Sequence, residues 1–253
     1  MQTIDILGTP VAVTHRAEAA ATAIRWAKAG DRAYAVEAAD VHVIARSRHE
    51  QDFGAALSRF DLICPDGMPL VWAINAQVHP GERLQERVSG AELMAEIFRQ
   101  SAGDPELGHF LLGGSDALLG TLQEKLPALA PGCVVAGVYS PPFGPWPDDE
   151  FERICGLIRE SGARFVWVGL GCPKQERWIG DNLDGLPPAV YFGVGAAFAF
   201  HAGFVSRAPE WCQKLGLEWA YRLYREPKRL FRRYFTYNSL FLWYGLRDRM
   251  RAH

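Results

Sequence analysis

The stretch 166–178, VWVGLGCPKQERW, limits what this chain can fold into more than any other. An apolar run ends on Gly169-Leu170-Gly171 and is followed by Pro173, Lys174, Gln175 and Glu176. Apolar side chains at successive positions suit a strand covered on both faces, and Pro173 suits the first turn of a helix, where a missing N–H costs nothing. The stretch therefore predicts a buried strand feeding a helix. Backbone amides at such a junction attract anions, and glycines let a phosphate come close to the chain. A tight turn that binds nothing fits the same residues.

The unit is repeated. Strands are predicted at 34–38 and 62–64, then at the starts of HFLLGGSDALLGTLQEKL and VVAGVYSPPFGPWPDDEFERICGLIRES, and at AVYFGVG, with helical segments between them. Ala17 to Ala29 reads as a helix closed by Gly30, Ser89 as the N-cap of another, and residues 4–7 as a first strand or hairpin arm. Strands alternating with helices of 10–15 residues predict an α/β fold, a Rossmann-like, mainly parallel sheet flanked by helices. A chain of 253 residues, 49% hydrophobic, can bury a full core, and it shows neither low-complexity tracts nor repeats.

From Arg207 onward the pattern changes. There, 11 Lys and Arg stand against four acids, whereas the preceding 206 residues carry 16 basic and 25 acidic groups. We expect a catalytic domain over residues 1–206 and a helical basic and aromatic appendage over 207–253. Pro227 marks a break or a new helix start, Leu215, Trp219 and Leu223 form one stripe, and Arg222, Arg225, Arg229, Arg232 and Arg233 gather along one side. Cations interleaved with aromatics suit an anionic membrane surface and a lipid diphosphate. They suit single-stranded nucleic acid as well. The acidic body and the lack of a nucleic-acid module favour the membrane. Phe231, Phe235, Phe241 and Trp243 suit a bilayer or a dimer contact equally.

Five scattered cysteines without a Cys-x-x-Cys pair predict a reducing, cytosolic setting. No signal peptide and no run of about 20 apolar residues is present. A soluble or peripheral membrane protein is the expectation.

Three glycine junctions follow predicted strands: Gly113-Gly114, Gly169 with Gly171, and Gly193 with Gly195. Together they are placed to surround a nucleotide diphosphate at one sheet edge. None completes the dinucleotide fingerprint and the P-loop pattern is absent, so no NAD, FAD or other cofactor is expected. Asp66, at the predicted carboxyl end of a strand, stands where open α/β sheets hold ligands. A carboxylate there can take the proton of a sugar hydroxyl attacking an anomeric carbon; in a Pro-Asp-Gly turn it can equally make a local bond. A departing diphosphate needs a metal or fixed donors. With no Asp-x-Asp pair in the chain, junction amides, Arg87, Lys174 and tail arginines are the donors expected. His201 lies beside a glycine junction and is a further lining candidate; His201, His42 and His79 have no mutual spacing that implies a metal.

The pieces PDGMPLVWA, ERVSGAELM, FLLGGSD, YSPPF, VWVGLGCPKQERW, GVGAAFAFHAG and RAPEWCQKLGLEWAYRLYREPKRLFRRY, in this order, resemble the WecG/TagA/CpsF glycosyltransferases. The resemblance implies an inverting, metal-independent transfer of a sugar from a UDP-sugar to a polyprenyl-diphosphate-linked saccharide, at the inner face of the bacterial membrane. It implies Asp66 as catalytic base, Arg87 and Gln175 as site residues, and the basic tail as the contact with lipid diphosphate and membrane. Ala38, Asp40 and Ala199 stand where members of the family usually carry Thr, Asn and Asp. Those departures leave a second reading, a UDP-binding membrane-associated protein with weak chemistry.

Overall fold

The computed structural model describes residues 1–251, the side chains of Lys214 and Arg229 excepted. The chain opens with a hairpin, β1 (Thr3–Ile6) and β2 (Thr9–Ala12), paired antiparallel. Its turn places Leu7 and Gly8 both at positive φ, and the Gly8 amide donates to Asp5 Oδ1 at 3.0 Å.

There follow α1 (Arg16–Ala29), β3 (Tyr34–Ala39), α2 (Val41–His49), α3 (Gln51–Leu57), β4 (Leu62–Pro65), α4 (Met68–Asn75), a short 3-10 turn (Pro80–Glu82), α5 (Gly90–Ser101), β5 (His109–Leu112) and α6 (Asp116–Leu129). The second half runs through β6 (Val135–Tyr139), α7 (Glu150–Ser161), β7 (Phe165–Val168), α8 (Lys174–Asn182), β8 (Val190–Gly193), α9 (Ala197–His201), α10 (Glu210–Lys214), α11 (Glu218–Arg225) and α12 (Pro227–Arg251).

Strands β3 to β8 form one six-stranded sheet in the order β4-β3-β8-β7-β5-β6, parallel throughout. The Rossmann-like expectation holds. Both faces are covered because successive strand residues point into different cores. Val166 and Val168 pack with Ile44, Phe53, Leu70 and Ile179, while Phe165 and Trp167 pack with Phe98, Leu122 and Phe198. The second core contains a ladder of stacked rings, with centroids 3.9 Å apart for Phe98 and His109 and 4.2 Å for Trp167 and Phe192.

His109 is wholly buried within that ladder, and its position fixes its tautomer. Trp167 Nε1 donates to His109 Nδ1 at 3.1 Å, so the proton is on Nε2, 2.7 Å from Ser101 Oγ. Burial pushes the imidazole down to about 3 and keeps it neutral.

Helix boundaries follow local chemistry. Gly30, in the left-handed region, ends α1, its amide donating to Trp26 O at 3.0 Å. Ser115 Oγ caps α6 by accepting from Leu118 N at 3.2 Å. Ser89 holds the N-cap position of α5, as expected, but its side chain makes no capping bond. Gly180 brings α8 against α3 so closely that a methyl group there would meet the Ala56 carbonyl.

The stripe expected of Leu215, Trp219 and Leu223 does not form on one helix. Gly216, at φ 70°, ends α10, and a separate α11 carries the last two residues. Pro227 does start a new helix, α12, which lies along α2. Tyr237 Oη donates to Glu50 Oε1 at 2.7 Å and accepts from Arg46 at 2.6 Å. Among the described residues, no helix is long and apolar enough to cross a membrane.

Candidate functional site

A cavity of about 1000 Å³ lies over the carboxyl ends of β4, β3, β8 and β7, with α10 to α12 forming its opposite wall. Open parallel sheets hold ligands in this position, because strand ends leave backbone and side-chain polar groups facing a crevice. Asp66, Asp40, Arg87, Gly169, Gly171, Gln175, Glu176, Gly193, Gly195, Arg222 and Arg233 all line it.

Asp66 is held from both sides. Its amide continues the sheet by donating to Ala39 O at 2.8 Å, and Arg87 Nη1 donates to Asp66 Oδ1 at 3.1 Å. Burial is the main influence on its carboxyl and raises it; Arg87 opposes, while Glu218 and Asp40 add to the rise, and the balance is about 7. A carboxyl with that value changes protonation near neutral pH, the range in which general bases are most effective.

Arg87 is itself shared. Its Nη2 lies 2.5 Å from Glu218 Oε2 and 2.9 Å from Gln213 Oε1, so Asp66 and the C-terminal helices hold the same guanidinium. Asp40 caps α2 by accepting from Val43 N at 3.0 Å and faces Arg233 Nη2 at 3.5 Å. Burial works to raise its carboxyl, but the Arg233 guanidinium, the Val43 amide and Arg222 outweigh it and leave Asp40 lowered.

The glycine junctions differ from expectation in their amides. Gly171 N and Gly195 N both donate to Gln175 Oε1 at 3.1 Å, so these two N–H groups are engaged within the protein. Gln175 sits in the first turn of α8 and reaches back across both loops, which explains why two junctions from adjacent strands close on one side chain. Its Nε2 donates to Glu176 Oε1 at 3.0 Å.

Gly113 and Gly114 stand apart from the cavity lining, because β5 lies beyond β7 in the sheet. Gly113, at φ 106°, is needed for packing: a Cβ there would come within 2.8 Å of the Gly169 backbone. Pro173 and Lys174 are not lining residues either, and Lys174 points to solvent from the outer side of α8. His201 lies outside the lining and donates from Nε2 to Ala91 O at 2.8 Å.

The tail arginines do not gather on one side. Arg222 and Arg233 enter the cavity, whereas Arg225 and Arg232 face outward. Pro227 puts Arg222 and Arg225 on a different helix from Arg232 and Arg233, and the last two, adjacent and so roughly 100° apart on α12, face the outside and the cavity in turn. The side chain of Arg229 lies outside the described residues. Phe241 also differs: it packs against the core and lines the cavity, while Phe231, Phe235 and Trp243 are exposed.

Glu37, His42, Gln213, Glu218 and Tyr234 join the site without having been singled out in the sequence. Glu37 carried a signal, an acid inside the strand YAVEAA, where a charge is costly unless compensated. It is 2% exposed, Gly193 leaves the space its carboxylate occupies, and its Oε2 has no hydrogen-bond partner among the described residues. Burial, then the anions Glu176, Asp40 and Asp66, hold Glu37 well above the usual carboxylate range. Glu176, also buried, is pushed up to about 7, mainly by burial. His42 is pushed down to about 3, again by burial, and is neutral.

A carboxyl raised on folding stabilises the protein below its unfolded value near 4.3, and that contribution is lost as pH rises through the folded value. Glu37→Gln is therefore expected to gain stability relative to the parent between pH 5 and pH 8. Urea unfolding at the two pH values measures this, and an equal difference at both contradicts the assignment.

A Rossmann-like α/β sheet with a titrating carboxylate at its ligand edge, roofed by arginine-bearing helices, is an arrangement suited to group transfer with anionic ligands. The model of the Glycosyl transferase WecG/TagA/CpsF family matches residues 4–253. The chain belongs to that family, and is a glycosyltransferase.

Proposed function

We propose that this enzyme is an inverting, metal-independent hexosyltransferase that moves a sugar from a UDP-sugar to a polyprenyl-diphosphate-linked saccharide in cell-surface polysaccharide synthesis. The observation that carries the reading is Asp66, at a strand end beside Arg87, within a cavity that Arg222 and Arg233 enter. In this reading Asp66 takes the proton of the acceptor hydroxyl as its oxygen attacks the anomeric carbon. The bond from that carbon to the diphosphate breaks, its electron pair leaves with UDP, and the configuration inverts.

The leaving diphosphate needs donors, and guanidiniums suit it through their planar, multiple N–H groups. Among the described residues no carboxylate lies within ion-pair distance of Arg222, which supports it as the cation that receives a phosphate. Residues 207–253 serve, in this proposal, as an appendage that holds the acceptor diphosphate and rests on the inner face of the membrane. Phe231, Phe235, Leu242, Leu246 and Met250 are exposed along α12, among cations that suit anionic headgroups.

The test is UDP release from a panel of UDP-sugars with a polyprenyl-diphosphate saccharide and the full chain. One donor giving release dependent on acceptor and Asp66 is the expected result. Calorimetric binding of UDP with no release from any donor would replace this proposal by the binding-only reading that Ala38 and Ala199 suggest.

A further inference from the structure

The network around Arg87 joins the base to the C-terminal helices by direct contacts. Arg87 Nη1 serves Asp66 Oδ1 at 3.1 Å, and Nη2 serves Glu218 at 2.5 Å and Gln213 at 2.9 Å. Gln213 is held in turn by Arg207 Nη2, which donates to its Oε1 at 3.1 Å, and by its own Nε2 donating to Ala208 O at 2.7 Å. Arg207 also bonds Glu92 of α5 at 2.9 Å. Glu218 begins α11 and is mostly buried, its side chain 16% exposed, against 12% for Arg87. It is an acid within a strongly basic tail, turned inward onto the guanidinium that contacts Asp66.

Two anions on one cation compete for it. A guanidinium shared with Glu218 stabilises the Asp66 carboxylate less than one serving Asp66 alone, and in a half-buried site that competition is only partly screened.

We propose that Glu218 is a positioning residue for the transfer: by holding Arg87 Nη2, it keeps that guanidinium divided between the tail and Asp66, so that the seating of α11 sets how readily Asp66 takes a proton. The role of Asp66 as base rests on the function proposed above, whereas the division of Arg87 does not. A diphosphate bound by the tail would meet Glu218 at the same guanidinium, so acceptor binding and the protonation of the base are coupled through one residue.

The groups acting on Asp66 come from several elements: Arg87, Asp40 before α2, the Gly90 amide of α5 and Glu218 of α11. Asp66 in turn acts on Glu37 of β3 and on Cys64 of β4. Around Glu218 lie Arg87 and Tyr234, the latter also influenced by Arg222, Arg233 and Asp40. Only Glu218 changes in the test.

The experiment titrates the Asp66 carboxyl by carbon NMR on the full resting chain labelled at aspartate, with Asp66→Asn identifying the resonance. Glu218→Gln is expected to lower the midpoint by about one unit, since a like charge is removed and Arg87 turns wholly to Asp66. Glu218→Ala makes the same charge change and serves if the amide disturbs folding, which thermal melts reveal. An unchanged or raised midpoint in the folded variants overturns the proposal. With an active donor in hand, the acid limb of kcat/KM should move down with the NMR midpoint. A shifted carboxyl with no turnover from any donor would leave the coupling standing and sink the proposed reaction instead.

Discussion

Asp66→Asn is expected to lower turnover by about 10²- to 10⁴-fold, the range a general base contributes, with a smaller effect on donor binding. The amide keeps the shape of the side chain and can still lie beside Arg87, but it cannot take a proton. In the parent enzyme, kcat/KM should rise with pH through about 7, because burial holds Asp66 protonated below that value and the protonated form is inactive as a base. The variant should lose this acid limb together with its rate. Initial UDP-release rates between pH 5.5 and 8.5 give both results. A variant retaining parental turnover, or a parent with no limb near neutrality, would remove Asp66 from the role.

Trp167→Ala should produce the largest loss of stability among single substitutions in the sheet, about 3–5 kcal/mol. Three effects act together at this residue. The indole is wholly buried between Phe98 and Phe192, so its removal leaves a cavity walled by rigid rings. The hydrogen bond from its Nε1 to His109 Nδ1 is lost, leaving a buried acceptor without its donor. Its strand, β7, lies between β5 and β8, so the surroundings collapse poorly into the space. For a chain of this length the expected fall in midpoint is roughly 10 °C. Calorimetry measures it, and a fall of less than about 3 °C would show that the ladder relaxes far more than its packing suggests.

Both expectations involve groups whose behaviour follows from burial, yet they were unequally visible in the sequence. Asp66 was recognisable because Pro-Asp-Gly follows an apolar run, which puts a carboxylate at a strand end whatever the surrounding fold. The strand containing Trp167 was equally plain. Its partner His109 was not, since nothing in HFLL distinguishes a buried imidazole stacked on a ring from one at a strand's exposed end. Glu37 was visible only as an acid in an apolar strand, with no sign that Gly193 across the sheet would make room for it.

The glycine junctions show where local reasoning failed. Their positions after strands were correct, but whether an N–H is open to a ligand depends on what else reaches it. Gln175, an ordinary polar residue at a helix start, takes the amides of Gly171 and Gly195 at once. Gly113 and Gly114 lie apart from the cavity lining for a different reason: strand order puts them one strand beyond it.

Periodicity and turn chemistry in the chain determined the strand–helix units, the parallel class of sheet, the place of Asp66 and the basic character of the tail. These features depend on residues close in sequence, whose backbone preferences act before distant parts meet. Tertiary structure alone decided which loops share the cavity, that Arg222 and Arg233 turn inward while Arg225 and Arg232 do not, and that Glu218 meets Arg87. Those outcomes rest on contacts between residues more than a hundred positions apart, and on fields that exist only where water has been excluded around them. The value near 7 at Asp66 belongs to this second group: the aspartate is written in the sequence, but the burial and neighbouring charges that bring its carboxyl near neutral pH are assembled by the fold.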